Sequence, residues 1–283
     1  MNNVLRTLIF NGQVSLTVAD TTELVREGMR LHRLSPASAY VFGKALSAMT
    51  YMSSCLKQEV GEISLSLQCD GECGEIAVSG NRAMNMRGYI SNTQIEGGAN
   101  WGSECKALGK SGSLTIIRDD GYNRPFVGSC ALTGSGYIDE AFEEYYRISE
   151  QLPTRFETVA EIDENGVCKF AGVVAVQPLP FADEETLDKV WALDLYALLQ
   201  EVKALGAEEA VGARFGKSAE VWELRKARYK CNCSRRYLMR VLVSLGEQQM
   251  RDIIKEDGAV RIHCHYCNTD YEFTEEDVEH IFP

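Results

Sequence analysis

The chain has 283 residues, 45% of them hydrophobic, and its 29 basic and 41 acidic residues give a formal net charge of −12. That length allows one sizeable core plus a smaller module, and the composition is not that of a disordered chain. The acidity disfavours a nucleic-acid partner, since phosphates call for clustered Lys and Arg. No stretch reaches the ~18 consecutive apolar residues of a membrane span, and Met1 to Arg6 lacks a secretory pattern, which predicts a cytoplasmic protein.

Val4 to Phe10 and Val14 to Val18 flank Asn11-Gly12, a strong hairpin signal, so the fold is expected to open with two strands. Asp20 and Glu23 mark a helix start that runs to about Leu34. Ser35-Pro36 then starts a second helix, largely buried, with Val41, Ala45, Ala48, Met49 and Met52 at helical spacings. His32, just before the break, reads as a structural or capping residue. Alternation over Ile63, Leu65, Leu67 and then Ile76, Val78 predicts antiparallel strands about Asp70-Gly71, and Met86 to Ile90 adds another.

Ser91 to Gly112 lacks periodicity and is expected to be loop around Trp101 and Cys105. Its Gly109-Lys110-Ser111 matches the second half of a phosphate loop, but Glu104 stands where the first glycine belongs, which argues against nucleotide binding. Ser113 to Arg118 and Pro125 to Leu132 read as strands, Tyr137 to Gln151 as an amphipathic helix with a solvated face of Glu140, Glu143 and Glu144, and Thr158 to Ile162 and Val167 to Val176 as closing strands.

After Pro178 and Pro180 the pattern becomes helical over Asp183 to Leu205, stopping at Gly206. Ala207 to Gly216 is weakly patterned, and Ser218 to Arg228 is expected to be a short helix with Val221, Trp222 and Leu224. This stretch is too apolar for a passive spacer and too irregular to own a core, so it must pack on a neighbour. Two readings stand: a metastable linker that exposes Trp191, Leu195 and Trp222 when its support is lost, or a permanently packed helical extension. Leu238 to Leu245 and Gln248 to Ile254 then read as helices, Val260 to His263 as a strand, and Thr274 with Asp277 starts a last helix.

Ten cysteines without an export signal read as reduced thiols with a metal rather than as a disulfide framework. Cys231 and Cys233 are answered, thirty residues later, by Cys264 and Cys267. Two thiol pairs that fold back to one point suit a closed four-thiolate zinc site, one ion per chain. The second pair has the usual knuckle spacing. The first is Cys-x-Cys, which also suits redox chemistry, because neighbouring thiols can serve as ligands when reduced and close a disulfide when oxidised. A purely structural zinc module and a redox switch both remain open on spacing alone. His263 and His265 flank a ligand, but four cysteines suffice. The other six, Cys55, Cys69, Cys73, Cys105, Cys130 and Cys168, read mostly as small core or surface residues. Cys69 and Cys73 flank the Asp70-Gly71-Glu72 turn signal and are placed to face one another across a hairpin.

Cys231-Asn232-Cys233-Ser234-Arg235 and the Cys264-His265-Tyr266-Cys267-Asn268 knuckle, followed by Tyr271 and Phe273, resemble the zinc domain of the heat shock protein 33 family, the redox-regulated bacterial holdase chaperones. Tyr145-Tyr146, Ser149 to Thr154 and Val176 to Pro180 resemble that family's N-terminal domain, so the likeness spans nearly the whole chain. Arg236 and Tyr237 depart from it, where the family has an acidic and then a basic residue. That puts the polar contacts around the first pair in doubt but not metal ligation.

The resemblance implies an α+β fold: an antiparallel-sheet domain with helices over 1–180, a metastable helical linker over 181–230 and a zinc-binding redox-switch domain over 231–283. It implies no enzyme activity but a zinc-bound, inactive reduced form. Oxidants such as hydrogen peroxide with heat, or hypochlorous acid, would join Cys231 to Cys233 and Cys264 to Cys267, release zinc and unfold linker and zinc domain. By the same likeness the oxidised form is a homodimer that holds unfolded clients, without ATP, for later refolding by ATP-dependent chaperones.

The competing reading is a constitutive zinc-stabilised protein or nucleic-acid interaction module. Residues 231–283 carry six Arg or Lys against ten Asp or Glu, which disfavours nucleic acid. A zinc hydrolase or deaminase ranks last, since four thiolates leave no open coordination position and no H-x-E partner precedes a P-C-x-x-C motif.

Overall fold

The computed structural model describes residues 3–132, 136–216 and 219–282, and it divides into two compact units with the boundary between Tyr229 and Lys230. The first unit opens with the expected hairpin, β1 (Val4–Ile9) and β2 (Val14–Asp20), which turns through Phe10, Asn11 and Gly12, all at positive φ. Asn and Gly tolerate that left-handed backbone best, which is why the sequence signal was strong.

Helix α1 (Thr22–His32) is followed by α2 (Pro36–Ser54). Ser35 caps α2 by accepting the Ser38 N–H, and Pro36 occupies the first turn, where a missing N–H costs nothing. Every α2 residue but Pro36 and Tyr40 is buried, because the helix packs against strands of two sheets at once. One sheet collects β3 (Glu62–Cys69), β4 (Glu75–Asn81), β5 (Asn85–Ile90), and, beyond α3 (Trp101–Leu108), β6 (Gly112–Asp119) and β7 (Phe126–Ala131). The other adds to the first hairpin β8 (Arg155–Ile162) and β9 (Cys168–Pro178), which follow α4 (Ile138–Tyr145) and one wide helical turn at Tyr146–Glu150.

Three expectations are corrected. The Ser91 to Gly112 segment contains α3, a helix whose Asn100 cap accepts the Ser103 N–H. The helical run after Asp183 is broken: α5 (Glu184–Ala192) stops at an extended Leu193, Asp194 caps α6 (Leu195–Leu205), and the weakly patterned stretch forms α7 (Ala207–Phe215). The helix expected over Ser218 to Arg228 is instead strand β10 (Glu220–Arg225), antiparallel to β1, and strand β11 (Arg228–Tyr229), parallel to β5. Ser218 and the Trp222 side chain lie outside the described residues.

The stretch from α5 to α7 does find a neighbour. Val190, Leu195, Leu198, Leu199, Val202, Ala210, Val211 and Phe215 share a core with Leu5, Leu16, Val18, Phe170, Val174 and Val176 on the sheet face opposite α2. Trp191, expected to be released with Leu195, is 56% exposed, whereas Leu195 is buried. Arg155 on β8 clamps the break between α5 and α6, donating to the carbonyls of Val190, Trp191 and Leu193 at 2.7–3.2 Å. His32 is structural, as expected: its Nε2 meets the Tyr229 hydroxyl at 3.0 Å, and that hydroxyl also donates to the Gly88 carbonyl.

Glu104 is fully buried and ion-paired to Lys44 at 2.9 Å, while Asp139 meets the same ammonium at 2.9 Å. The N–H groups of Lys110 and Ser111 that would cradle a phosphate donate to the Asp70 carboxylate. The half motif is therefore a structural loop. Beside the Lys44 cluster, burial pushes the Glu157 carboxyl up to about 7. Its folded-state value lies above its unfolded one, so its contribution to stability is fully present below the unfolded value near 4.5 and is lost as pH rises through 7. Glu157→Gln is expected to raise the melting temperature at pH 8 by a few degrees, on the order of 1 kcal/mol after discounting for partial exposure, and to flatten the stability change between pH 5 and 7. Parallel thermal melts across pH check this; an unchanged pH profile refutes it.

Candidate metal centre

The second unit is small. Ser234 caps α8 (Arg235–Val243) by accepting the Tyr237 N–H; α9 (Glu247–Asp257) leads into the hairpin β12 (Val260–Cys264) and β13 (Thr269–Phe273), and α10 (Glu275–Ile281) closes it. Thr274 and Asp277 form the capping box expected from the sequence. Among the described residues its apolar centre is Leu242, Met250, Val260, Phe273 and Val278, with partly buried side chains such as Leu238, Ile253 and Ile262 packed around it.

Cys231 and Cys233 lie just before α8. Cys264 ends β12, and Cys267 sits in the following turn, where its N–H bonds the Cys264 carbonyl at 3.3 Å and Asn268 takes a left-handed conformation. The fold brings the four Sγ atoms within 4.8 Å of one another. Cys231 lies 3.8 Å from Cys264 and Cys233 lies 3.2 Å from Cys267. Four sulfurs about 2.3 Å from one tetrahedral ion would be roughly 3.8 Å apart, so the cluster is the right size to hold a metal ion. Both histidines lie outside this cluster: the His263 ring meets Asp270 at 2.7 Å and packs edge-on against His265.

Burial and mutual contact make the ionisation of Cys231, Cys233 and Cys267 unequal. Burial pushes Cys267 up to about 11 and Cys231 higher still. Burial also opposes ionisation of Cys233, but hydrogen bonds from the Tyr271 hydroxyl and from neighbouring thiols bring it below the usual range. A bound cation would override these differences, because a coordinated thiol is deprotonated whatever its burial. The Tyr271 hydroxyl, 3.3 Å from the Cys233 sulfur, is placed to donate to that thiolate, the kind of outer contact that orients a ligand.

Arg235 is a residue whose role the sequence did not disclose. Its guanidinium donates to the Glu272 carbonyl and to both carboxylate oxygens of Asp277 at 2.6 Å, and it lies 4.5 Å from the Phe273 ring centroid. It thus ties the start of α8 to β13 and α10. The departures that follow it disturb none of this: Arg236 is exposed and Tyr237 is 47% exposed. In the sequence it stood out only as the end of the Cys231 to Arg235 stretch that carries the family resemblance.

Fold and site together define an α+β protein whose small C-terminal unit gathers four thiols able to share one metal ion. The family profile described as Hsp33 protein matches residues 2–274. A 33 kDa chaperonin of Bacillus licheniformis is 30% identical over 99% of this chain and 98% of its own, and one of Clostridium botulinum is 32% identical over 99% and 97%. The crystal structure of the 33 kDa chaperonin of Thermotoga maritima superposes with a TM-score of 0.82 at 26% identity, over 99% of this chain and 98% of that one. The chain belongs to the Hsp33 family. That family consists of non-enzymatic holdase chaperones, so the function of this fold lies in binding rather than in turnover. Among the described residues no helix is long and apolar enough to cross a membrane.

Proposed function

We propose that this protein is a redox-regulated, ATP-independent holdase of the cytoplasm, held inactive by one zinc ion on Cys231, Cys233, Cys264 and Cys267. The observation that carries this reading is the convergence of four thiols in a unit with so small a core. Four soft sulfur donors favour zinc, and a closed set of four suits a structural ion, which stabilises the folded form of the peptide that binds it.

Oxidation converts donors into disulfides. Each forms with loss of two electrons and two protons, one hydrogen peroxide being reduced to two waters. In the folded cluster close sulfur–sulfur contacts run across the pairs, at 3.8 Å from Cys231 to Cys264 and 3.2 Å from Cys233 to Cys267. As the unit loosens, those partners separate, while Cys231 stays two residues from Cys233 and Cys264 three from Cys267. Each pair thus stays within reach of itself, and Cys231–Cys233 and Cys264–Cys267 are the oxidised pairs that the family resemblance implies.

Residues 181–230 are then the metastable linker of the proposal. Loss of the folded zinc domain over 231–283 releases α5 to α7 from the N-terminal domain over 1–180, and the sheet face they cover binds unfolded clients. The oxidised form acts as a homodimer and passes clients to ATP-dependent chaperones. Light scattering of a heat-unfolded client tests this. Oxidised protein should suppress aggregation at near-stoichiometric ratio and reduced, zinc-loaded protein should not; equal protection by both forms refutes redox control.

A further inference from the structure

Cys69 ends β3, and Cys73 precedes Gly74 at the start of the return strand, so the two cysteines bracket the tip of the β3–β4 hairpin. The Cys69 N–H pairs with the carbonyl of Gly74, the residue after Cys73, so the two cysteines stand at neighbouring positions across the hairpin, close enough for each thiol to shift the ionisation of the other. The backbone between them is anchored on both sides. The Asp70 N–H donates to the Ser111 carbonyl, Glu72 N–H to Lys106, Cys73 N–H to Ala107, and the Cys69 N–H closes the turn on the Gly74 carbonyl. The Asp70 carboxylate accepts from the N–H groups of Lys110 and Ser111 and from the Ser111 hydroxyl. A Cβ on Gly71 would lie 2.3 Å from the Ala107 carbonyl oxygen, so the tip is seated against the end of α3 with no room to spare.

A tip held this way keeps the two cysteines beside one another without help from a metal. Cys69 is half-buried, while Cys73 is fully buried among the core residues. The accessible and inaccessible partners have the division of labour of an attacking and a resolving thiol.

We propose that Cys69 and Cys73 form a second reversible dithiol–disulfide site, oxidised by hydroperoxides independently of the four-cysteine centre. The Cys69 thiolate attacks the peroxide: an S–O bond forms, the O–O bond breaks and the departing hydroxide is protonated to water, leaving a sulfenic acid. The Cys73 sulfur then attacks the Cys69 sulfur. The S–S bond forms, the S–O bond breaks, and the hydroxide leaves with the Cys73 proton as a second water. Two thiols lose two electrons in all, and one hydroperoxide is reduced. In support of these roles, the hydrogen bond from the Cys73 thiol holds the Cys69 thiol below the usual range, while that same contact and burial hold Cys73 above it.

The test uses the full-length, reduced, zinc-loaded chain, treated with a small excess of hydrogen peroxide at 25 °C and then alkylated and digested with trypsin. Residues 58–82 form one tryptic peptide holding Cys69 and Cys73 and no other cysteine. The expected result is an unalkylated peptide two hydrogens lighter than the dithiol, restored by dithiothreitol, in samples that still retain their zinc. In Cys73→Ser, dimedone is expected to trap Cys69 as its sulfenic acid; in Cys69→Ser, Cys73 is expected to remain a thiol. A peptide that stays doubly alkylated until zinc has left, or that goes to sulfinic acid without a disulfide, overturns the proposal. These readouts are local to the hairpin, so they stand or fall separately from the holdase activity.

Discussion

Removing the metal, by a chelator or by Cys264→Ser, is expected to unfold residues 230–283 while the two sheets of the first unit and helix α2 between them stay folded. The reason is one of scale. Structural zinc contributes about 10–16 kcal/mol of apparent binding energy to a module of this kind, as much as or more than the ~5–15 kcal/mol by which whole domains are stable. Among the described residues the unit's own apolar centre is five buried residues, and the hydrophobic side chains packed around it from the hairpin and helices, such as Leu238, Ile253 and Ile262, are only partly buried. The ion pair of Arg235 with Asp277 cannot replace the metal, because both partners retain contact with water and exposed pairs contribute at most about 1 kcal/mol. Hydrogen exchange read by mass spectrometry checks the outcome. Amides of β12 and β13 should exchange within the dead time after zinc removal, with those of β3, β4 and β9 unchanged. Protection that persists in the metal-free unit would mean that its core suffices alone.

The second large effect is expected from undocking the helices without oxidation. Leu199 is fully buried on α6 and packs over Gly172 of β9, where a Cβ would come within 3.0 Å of its methyl group. Leu199→Glu places a carboxylate in that contact. Truncating a buried leucine alone costs about 2–5 kcal/mol, and an unpaired buried charge adds to it. The other apolar contacts, Leu195, Leu198, Val202 and Phe215 among them, must open to hydrate that carboxylate, and the polar anchors that remain are partly exposed: Arg155 on the α5–α6 break, Lys203 and Gln200 on Glu161, and Arg214 on Glu201 within the helices. Residues 184–215 are therefore expected to exchange fast in the reduced, zinc-loaded variant, which should protect a client from aggregation at a level approaching that of oxidised wild type. Fast exchange of these helices with no gain in protection would show that the sheet face they cover is not the client surface.

The parts of this fold legible in the sequence are those whose causes are local. Asn11-Gly12 needs only its own backbone preferences to turn a hairpin, and Ser35-Pro36 starts α2 by supplying an acceptor and dispensing with a donor. The parts that were not legible depend on distant partners. Glu220 to Arg225 becomes a strand because β1, more than two hundred residues earlier, offers an open edge; its apolar residues fit a helical period equally well. Helix α3 hides behind the Gly-rich turn that precedes its Asn100 cap, and Glu104 acquires its role only when α2 brings Lys44 to it. At the metal centre, spacing explains why each pair is tight. It does not contain the fact that Cys231 lies beside Cys264, or that Arg235 and Tyr271 brace the cluster, because those follow from how α8 meets the β12–β13 hairpin.

The central claim is that loss of the four-thiolate site and gain of client binding are one event. Its most direct test is to follow zinc release with a colorimetric chelator, in the same samples as light scattering from a heat-unfolded client, as hydrogen peroxide is added at raised temperature. Release of about one zinc per chain, the load of a single four-thiolate site, should rise together with protection, and a reductant with added zinc should reverse both. Zinc that leaves with no gain in protection, or protection that appears while zinc stays bound, would contradict the account.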